Sequence, residues 1–381
     1  MMGIRDTLKE SSNLGAILTM AANDRPIVFY AEDSFTWVQF EGYVLHLLQL
    51  GMPVVYVTSD ADDPVLERDA DGLSPFYIRK QLPRLMEKLD SRVLAITMPD
   101  LGRFHIPKPE RSQVLYIFHS LNSVHTSYRE GAFDHYDRFA CTGPHHVAEL
   151  SGLRTQRRPK WDQLEEVGYY KLDRIARDHQ EWDRADRDHK EVLIAPSWGP
   201  SNVLEAHGEE VVRSLVQAGF RVTVRPHPQF FHTLYPEGRR AMARLMEIFS
   251  DSENVTFELS ITTEDSFHRS DVMLSDWSGA AYEYALGTLR PVLFIDTPQK
   301  LFNESWHELG RPAFEDFMRD QVGAVVPVDE ISRVGDLAQG LVDSQVNFSA
   351  ELRTLRGEVV FNPGRAGEAG AELIVEMAGL S

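Results

Sequence analysis

Two histidines and one short turn carry the side chains in this sequence best suited to chemistry. His119 follows the apolar run V-L-Y-I-F (Val114–Phe118), and His227 sits between two prolines in R-P-H-P (Arg225–Pro228). An imidazole takes a proton from an alcohol, or returns one to a departing oxygen, near neutral pH without much tuning. His119 is therefore read as a general base on an acceptor hydroxyl. His227 is read as a group that holds a diphosphate or protonates a leaving phosphate, with Arg225 pairing to the same anion. The turn lies in D-V-M-L-S-D-W-S-G (Asp271–Gly279), where Ser275, Asp276, Ser278 and Gly279 stand at the start of an expected helix. A helix N-terminus offers unpaired N–H groups and a partial positive charge, and glycine lets an anion approach the backbone. Glu283, five residues beyond Ser278, is placed to reach a ribose hydroxyl. The plain alternatives are a helix cap at Asp276 or Ser278, a turn histidine at 227 and a backbone-satisfied histidine at 119.

Placing these residues requires strands that end just before them. Residues 27–33, 53–59, 93–97, 114–118 and 138–142 read as buried strands. Helices are expected over about 37–50, 76–89 and 145–151. A second series opens at Val192, with strands V-L-I-A-P, R-V-T-V-R-P, N-V-T-F, Val272–Ser275, Pro291–Ile295 and an edge strand at Ala324–Val328. Its helices are expected at 203–218, 238–249 and 278–286, with a tail helix at 366–378. Strand and helix alternating at this spacing imply parallel α/β sheets. The charged stretch from Trp161 to Lys190 reads as an exposed, partly helical connector between two domains. The expected fold is α/β, with two Rossmann-like doubly wound domains facing across a cleft and the C-terminal helix packing back. The division is 1–175 (acceptor side), 176–190 (connector) and 191–381 (donor side). Such sheets bind ligands outside the carboxyl ends of their strands, and His119, Ser197, His227 and Asp276/Ser278 all follow strand ends.

The 381 residues carry 43% hydrophobic and 25% charged side chains, the composition of a soluble globular protein of two or three domains. A net charge of −19 argues against a nucleic-acid partner. The one local exception, Arg154, Arg157, Arg158 and Lys160, reads as a solvated loop or a contact with an anionic lipid or polymer. The single cysteine, Cys141, excludes an internal disulfide, and a reducing cytoplasm is the expected setting. The start is polar and lacks a secretory core, and no apolar run reaches the ~18–20 residues of a membrane helix. Asp60-Ala61-Asp62 and Asp69-Ala70-Asp71 have D-x-D spacing but read as solvated loop, and His145-His146 is a poor zinc motif. Walker, G-x-G-x-x-G and G-x-S-x-G motifs are all missing from the sequence.

The series F-H-S (Phe118–Ser120), G-Y-Y-K-L-D (Gly168–Asp173), A-P-S-W (Ala195–Trp198), R-P-H-P, S-D-W-S-G-x-x-x-E (Ser275–Glu283), R-P-V-L-F (Arg290–Phe294) and N-P-G-R-A-G-E (Asn362–Glu368) resembles the CDP-glycerol glycerophosphotransferase family. These are the teichoic-acid primases and polymerases of GT-B fold. The resemblance covers Val114 to the C-terminus. It implies transfer of a polyol phosphate, glycerol phosphate first, from a CDP-activated donor to a hydroxyl of a cell-surface polymer or lipid-linked acceptor, with release of CMP. On it the family's two essential histidines fall on His119 and His227, its D-Y-S-S serine on Ser278, and its acidic residue on Glu283. Donor binding is expected of Ser197, Arg225, Ser275, Asp276, Ser278, Gly279 and Glu283. Phe118, Ser120, Leu172 and Gly279 depart from the family pattern, so the donor half matches better than the acceptor half. No redox cofactor and no essential metal are implied, and work at the inner face of the cell membrane, by peripheral contact, is expected. The alternatives are a GT-B glycosyltransferase or nucleotide-sugar epimerase using a UDP-sugar, and a non-catalytic nucleotide-binding scaffold.

Overall fold

The computed structural model describes residues 4–157, 161, 163–182, 189–231, 235–259, 263–299 and 301–380. The chain begins α1 (Ile4–Asp24), β1 (Ile27–Ala31), α2 (Trp37–Gln49), β2 (Val54–Thr58), β3 (Leu73–Tyr77), α3 (Leu82–Lys88) and β4 (Val93–Ile96). It continues β5 (Gln113–Ile117), α4 (Val124–Ser127), β6 (Arg138–Cys141), α5 (Pro144–Arg157), β7 (Gln163–Glu166) and α6 (Tyr170–Glu181). The second series runs β8 (Glu191–Ile194), α7 (Val203–Gln217), β9 (Arg221–Val224), α8 (Pro236–Ile248), β10 (Val255–Phe257), α9 (Asp265–Arg269) and β11 (Val272–Ser275). It ends α10 (Gly279–Thr288), β12 (Val292–Ile295), α11 (Phe314–Val322), β13 (Gly323–Val326), α12 (Val334–Asp343), α13 (Gln345–Val359) and α14 (Ala366–Met377).

Two all-parallel sheets result, one in the order β3-β2-β1-β4-β5-β6-β7 and the other β10-β9-β8-β11-β12-β13. Their inner strands, such as V-V-Y-V-T and V-L-F-I, are buried along their whole length because helices cover both faces. In the first lobe α2 and α14 cover one face, and an aromatic cluster around Tyr116, Phe118, Phe133 and Phe139 fills the other. In the second lobe α7, α8 and α12 pack on one face, and α10, α11 and α13 on the other. The C-terminal helix packs back on α2, as the expected fold class requires. α6 lies between α2 of the first lobe and α10 of the second, and Gly42 of α2 leaves the space that the Tyr170 ring fills. Strand order reverses between β1 and β4 and again between β8 and β11, which opens a crevice at the carboxyl end of each sheet.

Several expected elements differ. The helix expected over 76–89 is the edge strand β3 followed by a shorter α3; Pro75 is tolerated at the sheet edge, and Pro83 starts the helix. The polar start of the chain folds as the 21-residue helix α1, anchored by Glu10, whose carboxylate accepts the N–H groups of Arg79 (2.8 Å) and Gln81 (2.7 Å). The stretch read as an exposed connector from Trp161 begins with buried Trp161, edge strand β7, and α6 with Tyr170, Leu172 and Ile175 buried. Its residues 183–188 lie outside the described residues, as do Arg158 and Lys160 of the basic stretch. Arg157 is paired with Glu130 and with Asp134 (2.9 Å). Asp60 closes a local turn, its carboxylate accepting the N–H of Asp62 (3.0 Å) and of Ser34 (3.2 Å). No helix of the described residues is long and apolar enough to cross a membrane.

Candidate active site

The second lobe presents its polar residues around the crevice between β8 and β11. Asp276 is fully buried, and its carboxylate accepts the N–H groups of Ser197 (2.7 Å), Trp277 (2.7 Å) and Val203 (3.1 Å). It thereby stitches the loop after β8 to the loop after β11. Ser275, also buried, donates its hydroxyl to the Ala195 carbonyl (2.8 Å). These two residues shape the crevice from beneath, and Ser197 joins it through its backbone. Ser278 is the N-cap of α10, its hydroxyl oxygen accepting the Ala280 N–H at 3.4 Å. Arg225 follows β9 with its guanidinium 3.0 Å from Glu258 and 3.0 Å from the Ser266 hydroxyl, above the Phe267 ring. His227 follows, its Nδ1 accepting the Gln229 N–H (3.2 Å) and its ring centroid 6.1 Å from that of Trp198. A cavity of about 660 Å3 opens beside Trp277 at the ends of β11 and β12, lined by Ser201, His207, Asp296, Thr297 and Gln299.

The first lobe contributes the turn after β5. His119 is open to solvent within the cleft, yet protein surrounds it closely enough that burial pulls its pKa below the usual imidazole range. Glu283 partly offsets this, and Lys171 reinforces it. The imidazole is therefore neutral at neutral pH, the form a general base requires. The turn continues with Ser120, whose hydroxyl lies 2.5 Å from the Asn122 side-chain oxygen and accepts the Asn122 N–H (3.0 Å). His145 and His146 brace it from α5, with Nε2 atoms 2.8 Å from the Leu121 carbonyl and 3.0 Å from the Asn122 carbonyl. Burial depresses both pKa values, that of His146 to about 4, so each ring stays neutral and serves the turn.

The two walls meet. A methyl group on Gly279 would strike the Asn122 side-chain oxygen and stand 2.8 Å from the Ser120 hydroxyl, so the glycine permits the N-terminus of α10 to abut the His119 turn. Glu283, one and a half turns into α10, is nearly buried, and its carboxylate accepts the Tyr169 hydroxyl (2.6 Å) and the Lys171 ammonium (2.6 Å). The Glu283 charge acts on His119 from one side and on Arg225 from the other. His119, Gly279 and Glu283 thus border one cleft, with Arg225 near enough to feel the Glu283 charge, while Ser275 and Asp276 lie under its floor.

Some cleft residues were not picked out from the sequence. Tyr169 and Lys171 lie inside the G-Y-Y-K-L-D stretch, where a tyrosine and a lysine could have been read as cleft groups. Glu149 and Glu315 converge on Ser123 and carried no comparable signal: the Ser123 N–H lies 3.1 Å and 3.3 Å from the two Glu315 oxygens, and its hydroxyl donates to Glu149 (2.8 Å).

No family model matches the chain, and no curated protein sequence matches it. Solved structures do match in fold. Arabidopsis thaliana UGT89C1 complexed with UDP superposes with a TM-score of 0.54 at 13% identity, over 93% of this chain and 100% of that one. The Methanocaldococcus jannaschii UDP-GlcNAc 2-epimerase, in complex with UDP-GlcNAc and UDP, gives 0.54 at 11% identity, over 93% and 99%. At such identities the likeness is one of architecture: the chain has the two-lobed GT-B fold.

Proposed function

We propose that the chain transfers a polyol phosphate, glycerol phosphate first, from a CDP-activated donor to a hydroxyl of a cell-surface polymer or lipid-linked acceptor. The observation that carries this reading is the meeting of the turn that bears a neutral, solvent-reached His119 with the N-terminus of α10, through Ser120 and Asn122 against Gly279. His119 accepts the proton of the acceptor hydroxyl as that oxygen attacks the β-phosphorus. The bond from that phosphorus to the bridging oxygen breaks, and CMP leaves with the electron pair. Charge building on the phosphates is met by His227, by Arg225 and by the helix N-terminus at Ser278 and Gly279. Ser197, Ser275 and Asp276 hold the donor loop in shape, and Glu283 anchors the ribose through a lone pair left beside its Tyr169 and Lys171 bonds. A lipid-linked acceptor would bring the chain to the inner face of the membrane by peripheral contact.

The test is release of CMP by the purified protein from CDP-glycerol and CDP-ribitol with a hydroxyl acceptor. His119→Ala and His227→Ala should each abolish release while the far-ultraviolet spectrum stays that of the wild type. A folded and fully active His227→Ala protein would sink the mechanism. The GT-B architecture favours a second reading, glycosyl transfer or epimerisation of a UDP-sugar. Thermal shifts with CDP-glycerol, CDP-ribitol and UDP-sugars separate the two, since only the true donor class should raise Tm strongly.

A further inference from the structure

The short segment after β7 touches the reacting base from a direction that none of the assigned residues covers. Tyr169 is buried, with its hydroxyl 2.8 Å from the His119 carbonyl oxygen and 2.6 Å from a Glu283 carboxylate oxygen. A phenol has one proton for these two acceptors. Burial and the Glu283 charge hold that proton on the phenol far above neutral pH, so Tyr169 remains a donor. Gln39 of α2 bonds to the same hydroxyl. Two residues on, Lys171 closes the other Glu283 oxygen at 2.6 Å.

The segment is held on both sides. Gly168 adopts φ 103°, and a Cβ there would collide with the Phe361 carbonyl oxygen, so the turn into Tyr169 fits only glycine. α6 then runs between α2 and α10. Tyr169 is therefore held at the junction of the two lobes and touches the backbone from which the His119 imidazole projects.

We propose that Tyr169 is the positioning residue for His119, its one hydroxyl proton shared between the backbone carbonyl of the base in the first lobe and the Lys171-paired Glu283 of α10 in the second. The proposal rests on the reading of His119 as the base. Because Glu283 belongs to the second lobe, the tie is complete only when the lobes are closed, and opening the cleft releases the base from its alignment. Closure and chemistry are thereby coupled through one hydroxyl. The groups facing the ring are Glu283 from α10, Lys171 from α6, Asp33 after β1, the Tyr128 ring after α4 (centroids 6.2 Å apart), His146 from α5 and the backbone of Thr97 after β4. Removing Glu283's charge should weaken the hold of His119 on a proton, and removing that of Lys171 should strengthen it.

The experiment pairs a proton titration with kinetics. The His119 ring C–H resonance, assigned by its loss in His119→Gln, is titrated by NMR in the wild type, Tyr169→Phe, Glu283→Gln and Lys171→Met, with no substrate present. The midpoint is expected to fall in Glu283→Gln and to rise in Lys171→Met. In Tyr169→Phe, which keeps the ring and its packing, the resonance is expected to shift or broaden. The kcat for CMP release should drop about tenfold or more, with donor KM nearly unchanged. An unchanged titration in both charge variants, or wild-type kcat with an unchanged resonance in Tyr169→Phe, overturns the proposal. If the wild type turns over no CDP-polyol, the reading of function fails on its own, and the titration still decides whether Tyr169, Glu283 and Lys171 govern His119.

Discussion

Ser123 of the first lobe and Glu315 of the second hold one another across the cleft, the N–H of one 3.1 Å and 3.3 Å from the carboxylate oxygens of the other. The Phe314 N–H donates to the Ser123 hydroxyl (2.6 Å), and Glu149 accepts both that hydroxyl and the Val124 N–H. Burial pushes the Glu315 carboxyl up to about 7, against an ordinary value of 4.5. A carboxyl raised in this way lets the folded state keep a proton that the unfolded state loses. Its contribution is complete below about pH 4.5 and is lost as pH rises through about 7. His125 acts with the same sign: burial opposes its protonation, but the Glu149 carboxylate 3.3 Å away prevails and raises its pKa.

Glu315→Gln, which resembles the protonated acid, is therefore expected to flatten the dependence of Tm on pH between about 4.5 and 7. The wild type should lose stability over that window relative to the variant, by an amount on the order of 3 kcal/mol. Calorimetric melts at half-unit pH steps measure this. Parallel wild-type and variant curves would show that Glu315 does not titrate there.

Gly279→Ala sets helix propensity against space. Alanine favours α10, but its methyl would meet Asn122 and Ser120 on the opposite lobe. Overpacking of this kind costs about 1–3 kcal/mol, and here the cost falls on closure of the cleft. A fall in kcat of about ten- to a hundredfold is expected with little change in Tm. Asn122→Ala in the same chain should recover part of the loss, since it removes the atom that is struck. Strict additivity of the two substitutions in a double-mutant cycle would disprove the contact.

Strands buried on both faces were legible because parallel sheets demand nearly continuous apolar runs, as in V-V-Y-V-T of β2 and V-L-F-I of β12. The edge strands β3 (L-S-P-F-Y) and β7 (Q-L-E-E) were not, because an edge is only partly covered and tolerates proline and acids. The strand-end rule located His119 and the Ser278–Gly279 turn from local sequence alone. It could not supply their partners. Tyr169 and Glu283 are 114 residues apart, and Ser123 and Glu315 are 192 apart, so these ties exist only once two lobes have folded and docked.

The R-P-V-L-F stretch, which entered the sequence argument as part of a family resemblance, is explained by a buried clamp. Arg290 is 1% exposed, and its guanidinium donates to the carbonyls of His268 (2.9 Å) and Ser270 at the end of α9. It caps the carboxyl end of α9, sharing the Ser270 carbonyl with the Tyr284 hydroxyl (3.0 Å), and ties α9 to β12. Arg290→Met removes the donor and leaves the His268 carbonyl buried without it, while the Ser270 carbonyl keeps the Tyr284 hydroxyl (3.0 Å). A loss of about 2–4 kcal/mol is expected in urea unfolding, with Arg290→Lys intermediate because it reaches fewer carbonyls. A Met variant as stable as the wild type would remove the clamp from the account of the motif.

The pH dependence of turnover tests the state of His119 directly. A general base works in its unprotonated form, so the rate falls tenfold per pH unit below its pKa and is level above it. Burial lowers the pKa of His119, with Lys171 adding to the effect and Glu283 opposing it. The acid limb of kcat/KM should then bend below the ordinary imidazole value of 6.5, leaving activity nearly level from neutral pH down through that value. Lys171→Met should move the bend to higher pH, since the cation that disfavours protonation is gone. CMP release measured from pH 4.5 to 8, with circular dichroism at each point to exclude unfolding, gives the profile. A bend above the ordinary imidazole range in the folded protein would require a different group to take the acceptor proton.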